Sequence, residues 1–75
     1  MKELVEVIAK SLVDDPDSVV VTEREEKKAT VLELRVADSD MGKVIGKQGR
    51  IAKAIRAVVR AATAKDQKPV FVEIQ

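Results

Sequence analysis

Residues 44–51 have the sequence VIGKQGRI, and this stretch decides the fold. Two glycines, Gly46 and Gly49, enclose two polar residues, and an aliphatic pair comes before them. Because glycine has no Cβ, the chain can bend sharply here and another backbone can approach closely. A helix that begins after Gly49 would direct its first amides and the positive end of its dipole toward the same place. The stretch therefore predicts a loop that receives a phosphate-bearing chain.

The glycine spacing excludes two other phosphate-binding loops. A Walker A motif needs four residues between its glycines, followed by Lys and then Ser or Thr. Here Gly42 and Gly46 enclose three residues, and Lys47 is followed by Gln48. The dinucleotide fingerprint G-x-G-x-x-G is absent as well. A plain connection between two helices stays open as the simpler interpretation, because glycine commonly ends helices.

The composition predicts one small domain, residues 1–75, that is not an enzyme. The chain has 75 residues, no cysteine and no histidine, so it lacks the commonest general base and the usual zinc ligands. The acidic loop formed by Asp14, Asp15 and Asp17 lacks the spacing of a calcium-binding loop. The first dozen residues are too acidic for a signal peptide, and no apolar run is long enough to span a membrane. We expect a cytoplasmic protein without metal or cofactor.

The charges are segregated along the chain, although the net charge is only +1. Residues 1–42 carry six basic and eleven acidic side chains, whereas residues 43–68 carry eight basic side chains and one acidic one. This segregation predicts a basic face centred on the glycine loop, which is typical of a nucleic-acid-binding surface. The alternative is that these charges are merely the solvated outer faces of helices.

Hydrophobic periodicity predicts the element order α-β-β-α-α-β. The predicted helices and strands are a helix at 2–13, strands at 19–22 and 30–37, helices at 41–45 and 50–64, and a strand at 70–75. Residues 23–28 are expected to form a charged hairpin tip. Residues 38–40 offer Asp and Ser side chains that can cap the short helix, and residues 65–69 end the long one.

The long helix has three stripes at about 100° per residue. The predicted core stripe consists of Ile51, Ile55, Val58, Val59 and Ala62. A basic stripe on roughly the opposite side consists of Lys53, Arg56 and Arg60. Between them lies an alanine stripe consisting of Ala54, Ala57, Ala61 and Ala64. Alanine is the best helix former, so propensity alone explains the third stripe; a close-approach surface for a second subunit is the other interpretation.

Residues 42–56, GKVIGKQGRIAKAIR, resemble the core of a KH domain. A helix and strand at 2–22 ahead of a core at 30–75 resemble the type II arrangement, and the whole chain resembles the KhpA family of small bacterial KH proteins. The resemblance implies an α+β, two-layer type II KH fold, in which a three-stranded sheet packs against three helices.

The resemblance also implies a function. KhpA-like proteins are cytoplasmic single-stranded RNA-binding proteins and RNA chaperones that act as homodimers or with KhpB (Jag), a second KH protein. They are linked to cell-wall homeostasis and cell length. Single-stranded DNA remains open as a ligand, and so does a KH scaffold that binds proteins and has lost RNA binding.

The site predicted from these residues surrounds the loop. The expected contacts to nucleic acid are made by Gly46, Lys47, Gln48, Gly49 and Arg50, flanked by Lys43 and Lys53. Val44 and Ile45, together with Leu34 and Val36 of the second strand, are expected to form an aliphatic groove for bases, although Ile45 fits the core better. With Phe71 as the single aromatic residue, an aromatic stacking platform like that of an RRM is not expected.

Overall fold

A computed structural model describes residues 1–65 and 67–75. Within this part the elements are α1 (Lys2–Leu12), β1 (Val20–Glu25), β2 (Thr30–Arg35), α2 (Met41–Ile45), α3 (Arg50–Ala62) and β3 (Val70–Ile74). Short 3-10 turns cover Pro16–Ser18, Asp38–Asp40 and Lys47–Gly49. The predicted α+β class and element order are confirmed. Asp66, within the turn expected to end the long helix, lies outside the described residues.

The sheet has the order β1-β2-β3. β1 runs antiparallel to β2 with Val20 opposite Arg35, whereas β3 runs parallel to β2 with Val70 opposite Thr30. Parallel neighbours need a crossover connection, and α2, the glycine loop and α3 supply it. The loop therefore lies beyond the carboxyl end of β2, and α3 returns along the sheet.

The core lies between one face of the sheet and the three helices. Because side chains alternate along a strand, β1, β2 and β3 direct one apolar set toward the helices. This set consists of Val21, Leu32, Leu34 and Val72, and Val36 directly after β2 joins it. The helices contribute Val5, Ala9, Val44, Ile55 and Val59. None of the described helices lies on the opposite face of the sheet, where Phe71 and Val20 are exposed.

β1 is longer than predicted. It continues through Glu23 to Glu25, where a hairpin tip was expected, and Arg24 pairs with Val31 of β2. The guanidinium of Arg24 forms ion pairs with Glu33 at 2.7 Å and Glu26 at 3.0 Å. Charged residues have low strand propensity, but cross-strand pairing on a solvated face compensates for it. The hairpin tip is therefore confined to residues 26–29.

The buried stripe of α3 is rotated from the predicted one. Ile55 and Val59 are buried as expected, and Ala52 joins them. Val58, predicted to lie in the core, is 45% exposed, and Ala62 is exposed as well. Ile55 and Val59 pack into the core with the sheet residues, whereas Val58 lines a groove that remains open toward α1.

The predicted capping of the short helix by residues 38–40 is wrong, because no side chain caps α2. Asp40 is 1% exposed and instead accepts hydrogen bonds from the backbone amides of Asp14, at 3.2 Å, and Asp15, at 3.1 Å. Burial tends to raise the pKa of Asp40, but these two amides and the Lys43 ammonium outweigh it and hold the pKa below its usual value. Asp40 thus ties the α1–β1 connection to α2.

Candidate nucleic-acid interface

The glycine loop has a backbone that ordinary residues rarely adopt. Gly46 follows α2 with φ 76° and ψ 171°, and Gly49 precedes α3 with φ 75° and ψ 16°. Gln48, between them, is left-handed too, with φ 59°. The loop is closed by a hydrogen bond from the Gly49 amide to the Gly46 carbonyl at 3.1 Å. The connection between the two helices is therefore a tight, preformed turn.

The two glycines meet different requirements. A Cβ on Gly46 would lie 2.6 Å from Cγ1 of Ile51, so the packing of α3 against the loop leaves no room for a side chain. A Cβ on Gly49 would meet no atom within 4 Å. Gly49 therefore faces open space, where another molecule's backbone can come close, whereas Gly46 is needed within the protein itself.

The side chains at the loop tip point into solvent. Lys47, Gln48 and Arg50 are exposed, and Arg50 donates a hydrogen bond to the Gln48 amide oxygen at 3.2 Å. No side chain caps the start of α3. The first-turn amides of a helix have no partner within the helix, and the dipole favours an anion near them. The Arg50 amide donates to the Lys47 carbonyl, so exposed positive charge and the positive end of the α3 dipole are what coincide at this point.

A basic ridge continues from the loop along α3. It consists of the exposed side chains of Lys53, Arg56 and Arg60. Among the described residues, no carboxylate forms an ion pair with any of the three. Arg56 also donates from Nε to the carbonyl of Val72 at 3.3 Å, which fixes it beside β3. The predicted segregation of charge therefore produces a continuous cationic path.

Lys43 does not belong to that path. Its ammonium contacts the carboxylates of Asp14 at 2.6 Å and Asp40 at 3.1 Å. Hydrogen bonds to Asp14 and then to Asp40 raise the pKa of Lys43 above its ordinary value. Lys43 therefore helps to hold the α1–β1 connection against α2, whereas the sequence predicts that it contacts a phosphate beside the loop.

The predicted base groove is wrong for most of its residues. Val44 and Leu34 are fully buried, and Val36 is 9% exposed, so none of them offers a surface to a ligand. All three belong to the core because α2 packs its Val44 side directly over the sheet. Ile45, predicted to fit the core better, is instead 37% exposed beside the loop.

A different cleft adjoins the basic ridge, between α3 and the edge strand β3. Its volume is about 840 Å³. The residues that line it on the two elements include Arg56, Arg60, Ala61, Val70, Phe71 and Val72. Sequence reasoning missed it, because only the parallel placement of β3 beside β2 brings residues 70–72 next to α3.

The alanine stripe of α3 is divided between two surfaces. Ala61 and Ala64 line the cleft beside β3, whereas Ala54 lies in a second, smaller groove of about 360 Å³ between α1 and α3. That groove is apolar and includes Ile8, Leu12 and Val58. Ala57, between these two ends of the stripe, is exposed.

The mixed sheet, the helices on one face and the glycine loop between two helices define a KH domain of the type II arrangement. Comparison with known proteins specifies the family: residues 2–74 match the KhpA/KhpB KH domain. The chain belongs to this family.

Two full-length relatives are both named RNA-binding protein KhpA. The protein from Clostridium perfringens is 65% identical, and the match covers 99% of both chains. The protein from Aquifex aeolicus is 53% identical, over 99% of this chain and 94% of the relative. Their names describe RNA binding and no reaction, in agreement with the expectation that this chain is not an enzyme.

Among solved structures, Era from Aquifex aeolicus, crystallised as a variant bound to GDP.AlF4-, is similar with a TM-score of 0.66 at 25% identity. The match covers 97% of this chain but 28% of Era. The likeness therefore concerns one part of a larger protein.

None of the helices in the described residues is long and apolar enough to cross a bilayer. The same residues contain no cluster of three or more side chains suited to hold a metal ion.

Proposed function

We propose that this chain binds single-stranded RNA through residues 46–49 and the first turn of α3. The observation that carries the proposal is the position of Gly49, which faces open space directly before an uncapped helix start. Membership of a family whose relatives are named for RNA binding supports the same ligand.

The phosphate contacts follow from the loop geometry. A phosphate placed against Gly49 would lie at the positive end of the α3 dipole, beside a helix start that no side chain caps. Lys47 and Arg50 supply charge, Gln48 supplies a neutral hydrogen bond, and Lys53 extends the contact by one helical turn. Gly46 acts indirectly, because it lets Ile51 pack under the loop and hold it in shape.

The bases would lie in the cleft between α3 and β3, and Ile45, which is exposed beside the loop, would add an aliphatic contact. β3 is an edge strand, so part of its backbone has no strand partner. Arg56 already occupies the Val72 carbonyl on this strand. Bases would therefore meet aliphatic side chains and backbone edges, which favours a weak sequence preference.

The affinity of one such domain should be low and salt-dependent. A KH loop clamps about four nucleotides. If three or four phosphates are neutralised, log K falls against log salt with a slope of about −2 to −3 for a single strand. When two such domains are linked, the second binds the same RNA at a high effective concentration, and the overall affinity increases by a factor of about 10²–10⁴. This supports action as a homodimer or with a KhpB/Jag-like KH protein.

We assign the association surface to the α1–α3 groove and the neighbouring Ala54 and Ala57. Val58 is 45% exposed and Val7 66% exposed on these two helices, and apolar surface of this kind is typical of an interface. The fuller role proposed is that of a single-domain cytoplasmic RNA chaperone connected with cell-wall homeostasis and cell length, as implied by the family resemblance.

A protein-binding KH scaffold without RNA binding is the alternative. The exposed cations of the ridge, which form no ion pair with any described carboxylate, argue against it, because a purely protein-binding scaffold has no need to keep them beside the loop. A 260/280 absorbance ratio measured on the purified protein separates the two, since co-purifying RNA raises it.

The test is the double variant Lys47→Asp, Gln48→Asp. Both residues are exposed and make no core contact, so the fold should be retained while like-charge repulsion removes phosphate binding. Fluorescence anisotropy with a labelled oligoribonucleotide at moderate salt should show no measurable binding, and circular dichroism should be unchanged.

The matched control is Lys2→Asp, Ser11→Asp on α1, which makes the same change in net charge at exposed positions away from the loop. We expect the control to bind almost as the wild type does. Equal affinity of the loop variant and the control would contradict the proposal. The same titration with DNA of matching sequence shows whether the protein distinguishes ribose from deoxyribose.

A further inference from the structure

The apolar groove between α1 and α3 reaches the residues that follow the glycine loop. Its lining includes Arg50 and Ile51, the first two residues of α3, together with Ala54 and Val58 further along the helix. Arg50 and Ile51 come directly after Gly49 in the sequence. The surface assigned to association and the loop assigned to RNA therefore share two residues.

Each of these two residues also has a contact within the loop. The Arg50 guanidinium donates a hydrogen bond to the Gln48 amide oxygen at 3.2 Å. Ile51 lies against Gly46, because its Cγ1 is 2.6 Å from the position that a Cβ of Gly46 would take. Arg50 is exposed and Ile51 is half-buried. A chain bound in the groove would therefore contact side chains that already hold the loop.

The groove suits a second copy of this chain. A two-fold dimer brings one patch against itself, so the patch must be self-complementary. Here an apolar hollow of about 360 Å³ adjoins apolar side chains exposed on the same two helices, with Leu12 at 36% and Val58 at 45%. Arg50 is the single charged residue in the described lining, and its guanidinium contacts Gln48 of the loop. Two copies can therefore place apolar lining against apolar lining.

We propose that binding of a second copy in the α1–α3 groove raises the affinity of each loop for RNA, and that Arg50 and Ile51 transmit this effect. The inference rests on the proposed function, because it needs both the loop site and the association surface. It goes beyond avidity, since the gain occurs within one subunit and for an RNA too short to reach the second loop.

The sign of the coupling follows from a shared ordering cost. An exposed arginine loses much rotamer freedom when it is immobilised. A phosphate on the guanidinium and a second copy in the groove both restrict Arg50, so whichever binds first lowers the entropy cost for the other. Such coupling is reciprocal. RNA binding should therefore tighten the dimer by the same factor for each occupied loop.

The experiment uses a tetraribonucleotide, which fills one loop site and so cannot add avidity. Sedimentation equilibrium gives the dimer dissociation constant without RNA and at saturating tetranucleotide. A coupling of about fivefold per subunit, at the low end of the usual range, should lower this constant about 25-fold, because the dimer has two loops. Fluorescence anisotropy with the same labelled tetranucleotide establishes that the loop is saturated.

Two variants separate transmission from binding. Arg50→Ala should weaken tetranucleotide binding and also remove most of the change in the dimer constant at saturation. The matched control is Lys53→Ala, which removes another exposed cation beside the loop that does not line the groove. It should weaken tetranucleotide binding as well, yet keep the full change in the dimer constant.

A second readout reports the ordering itself. Without RNA, the NMR order parameter of the Arg50 Nε–H bond should be higher in the wild-type dimer than in monomeric Val58→Glu. Arg56, which does not line the groove, should show no such difference.

A dimer constant that saturating tetranucleotide leaves unchanged or raises overturns the inference and leaves the loop assignment intact. A full change retained in Arg50→Ala overturns it too. A protein that stays monomeric at every concentration, with and without RNA, overturns the inference together with the association surface. Failure of the wild type to bind the tetranucleotide would instead refute the proposed RNA site.

Discussion

At the scale of single residues, the loop shows one amino acid type used for two reasons. Gly46 occupies a backbone region that is nearly restricted to glycine and lies against Ile51. Gly49 is left-handed but has free space around it. A sequence pattern of two glycines does not separate these roles, because the difference depends on where the helix after the loop packs.

The difference predicts unequal costs of adding a methyl group. Gly46→Ala should destabilise the protein by about 2–5 kcal/mol, combining backbone strain with overpacking. Gly49→Ala should cost about 1–2 kcal/mol from its left-handed backbone alone. Gly42→Ala, inside α2 with open space around it, should be neutral or stabilise by up to about 1 kcal/mol. Urea unfolding measures all three, and equal costs at positions 46 and 49 would contradict this account.

Asp40 is the second residue with a role that the sequence does not reveal. Its depressed pKa means that the folded state holds the carboxylate ionised more strongly than the unfolded state does. The resulting stabilisation is complete above the unfolded pKa of about 3.9 and is lost as the pH falls through the lower folded pKa.

Thermal melts should therefore show a falling midpoint below about pH 4 in the wild type. Asp40→Asn should melt lower at neutral pH and lose part of that acid dependence, because its neutral amide neither attracts Lys43 nor accepts hydrogen bonds as strongly. Asp38→Asn, at an exposed position in the same turn, serves as the control. If the melting midpoints of the wild type and of Asp40→Asn fall in parallel with pH, the role given to Asp40 is refuted.

At the scale of elements, the sequence predicts the features that depend on local residue patterns, which are the order of the helices and strands and the position of the loop. The alternation in residues 30–37, the proline at 16 and the glycines at 46 and 49 were sufficient for the element order and the position of the loop. The extension of β1 to Glu25 was missed, because it depends on cross-strand partners such as Glu33. The base groove was misplaced, because burial of Leu34 and Val44 depends on how α2 packs on the sheet.

The same reasoning applies to α3, where periodicity predicts which side is apolar but not which residues at its margins are buried. Val58 falls within the apolar arc of the helix and yet remains 45% exposed, because none of the elements in residues 1–65 and 67–75 covers the groove between α1 and α3. An apolar side chain exposed in such a groove can be buried by a second chain, so its burial would depend on assembly.

At the scale of the whole molecule, we propose two working surfaces: the loop and cleft for RNA, and the α1–α3 groove for association. Val58→Glu should shift the protein from dimer to monomer in sedimentation equilibrium without changing the loop. Because avidity is then lost, affinity for a long RNA should fall far more than affinity for a tetranucleotide. Ser39→Glu, the same charge change at an exposed position in the Asp38–Asp40 turn, is the control. An unchanged sedimentation profile in Val58→Glu would contradict the assignment of the α1–α3 groove as the association surface.

The central claim is that an RNA strand lies against Gly49 and the start of α3. Amide chemical shifts of the labelled protein, followed during titration with a tetranucleotide, test it most directly. The account predicts the largest shifts at residues 47–53, smaller shifts along β3, and none on the exposed side of α1. Saturable binding that leaves the amides of residues 47–53 unmoved would contradict it.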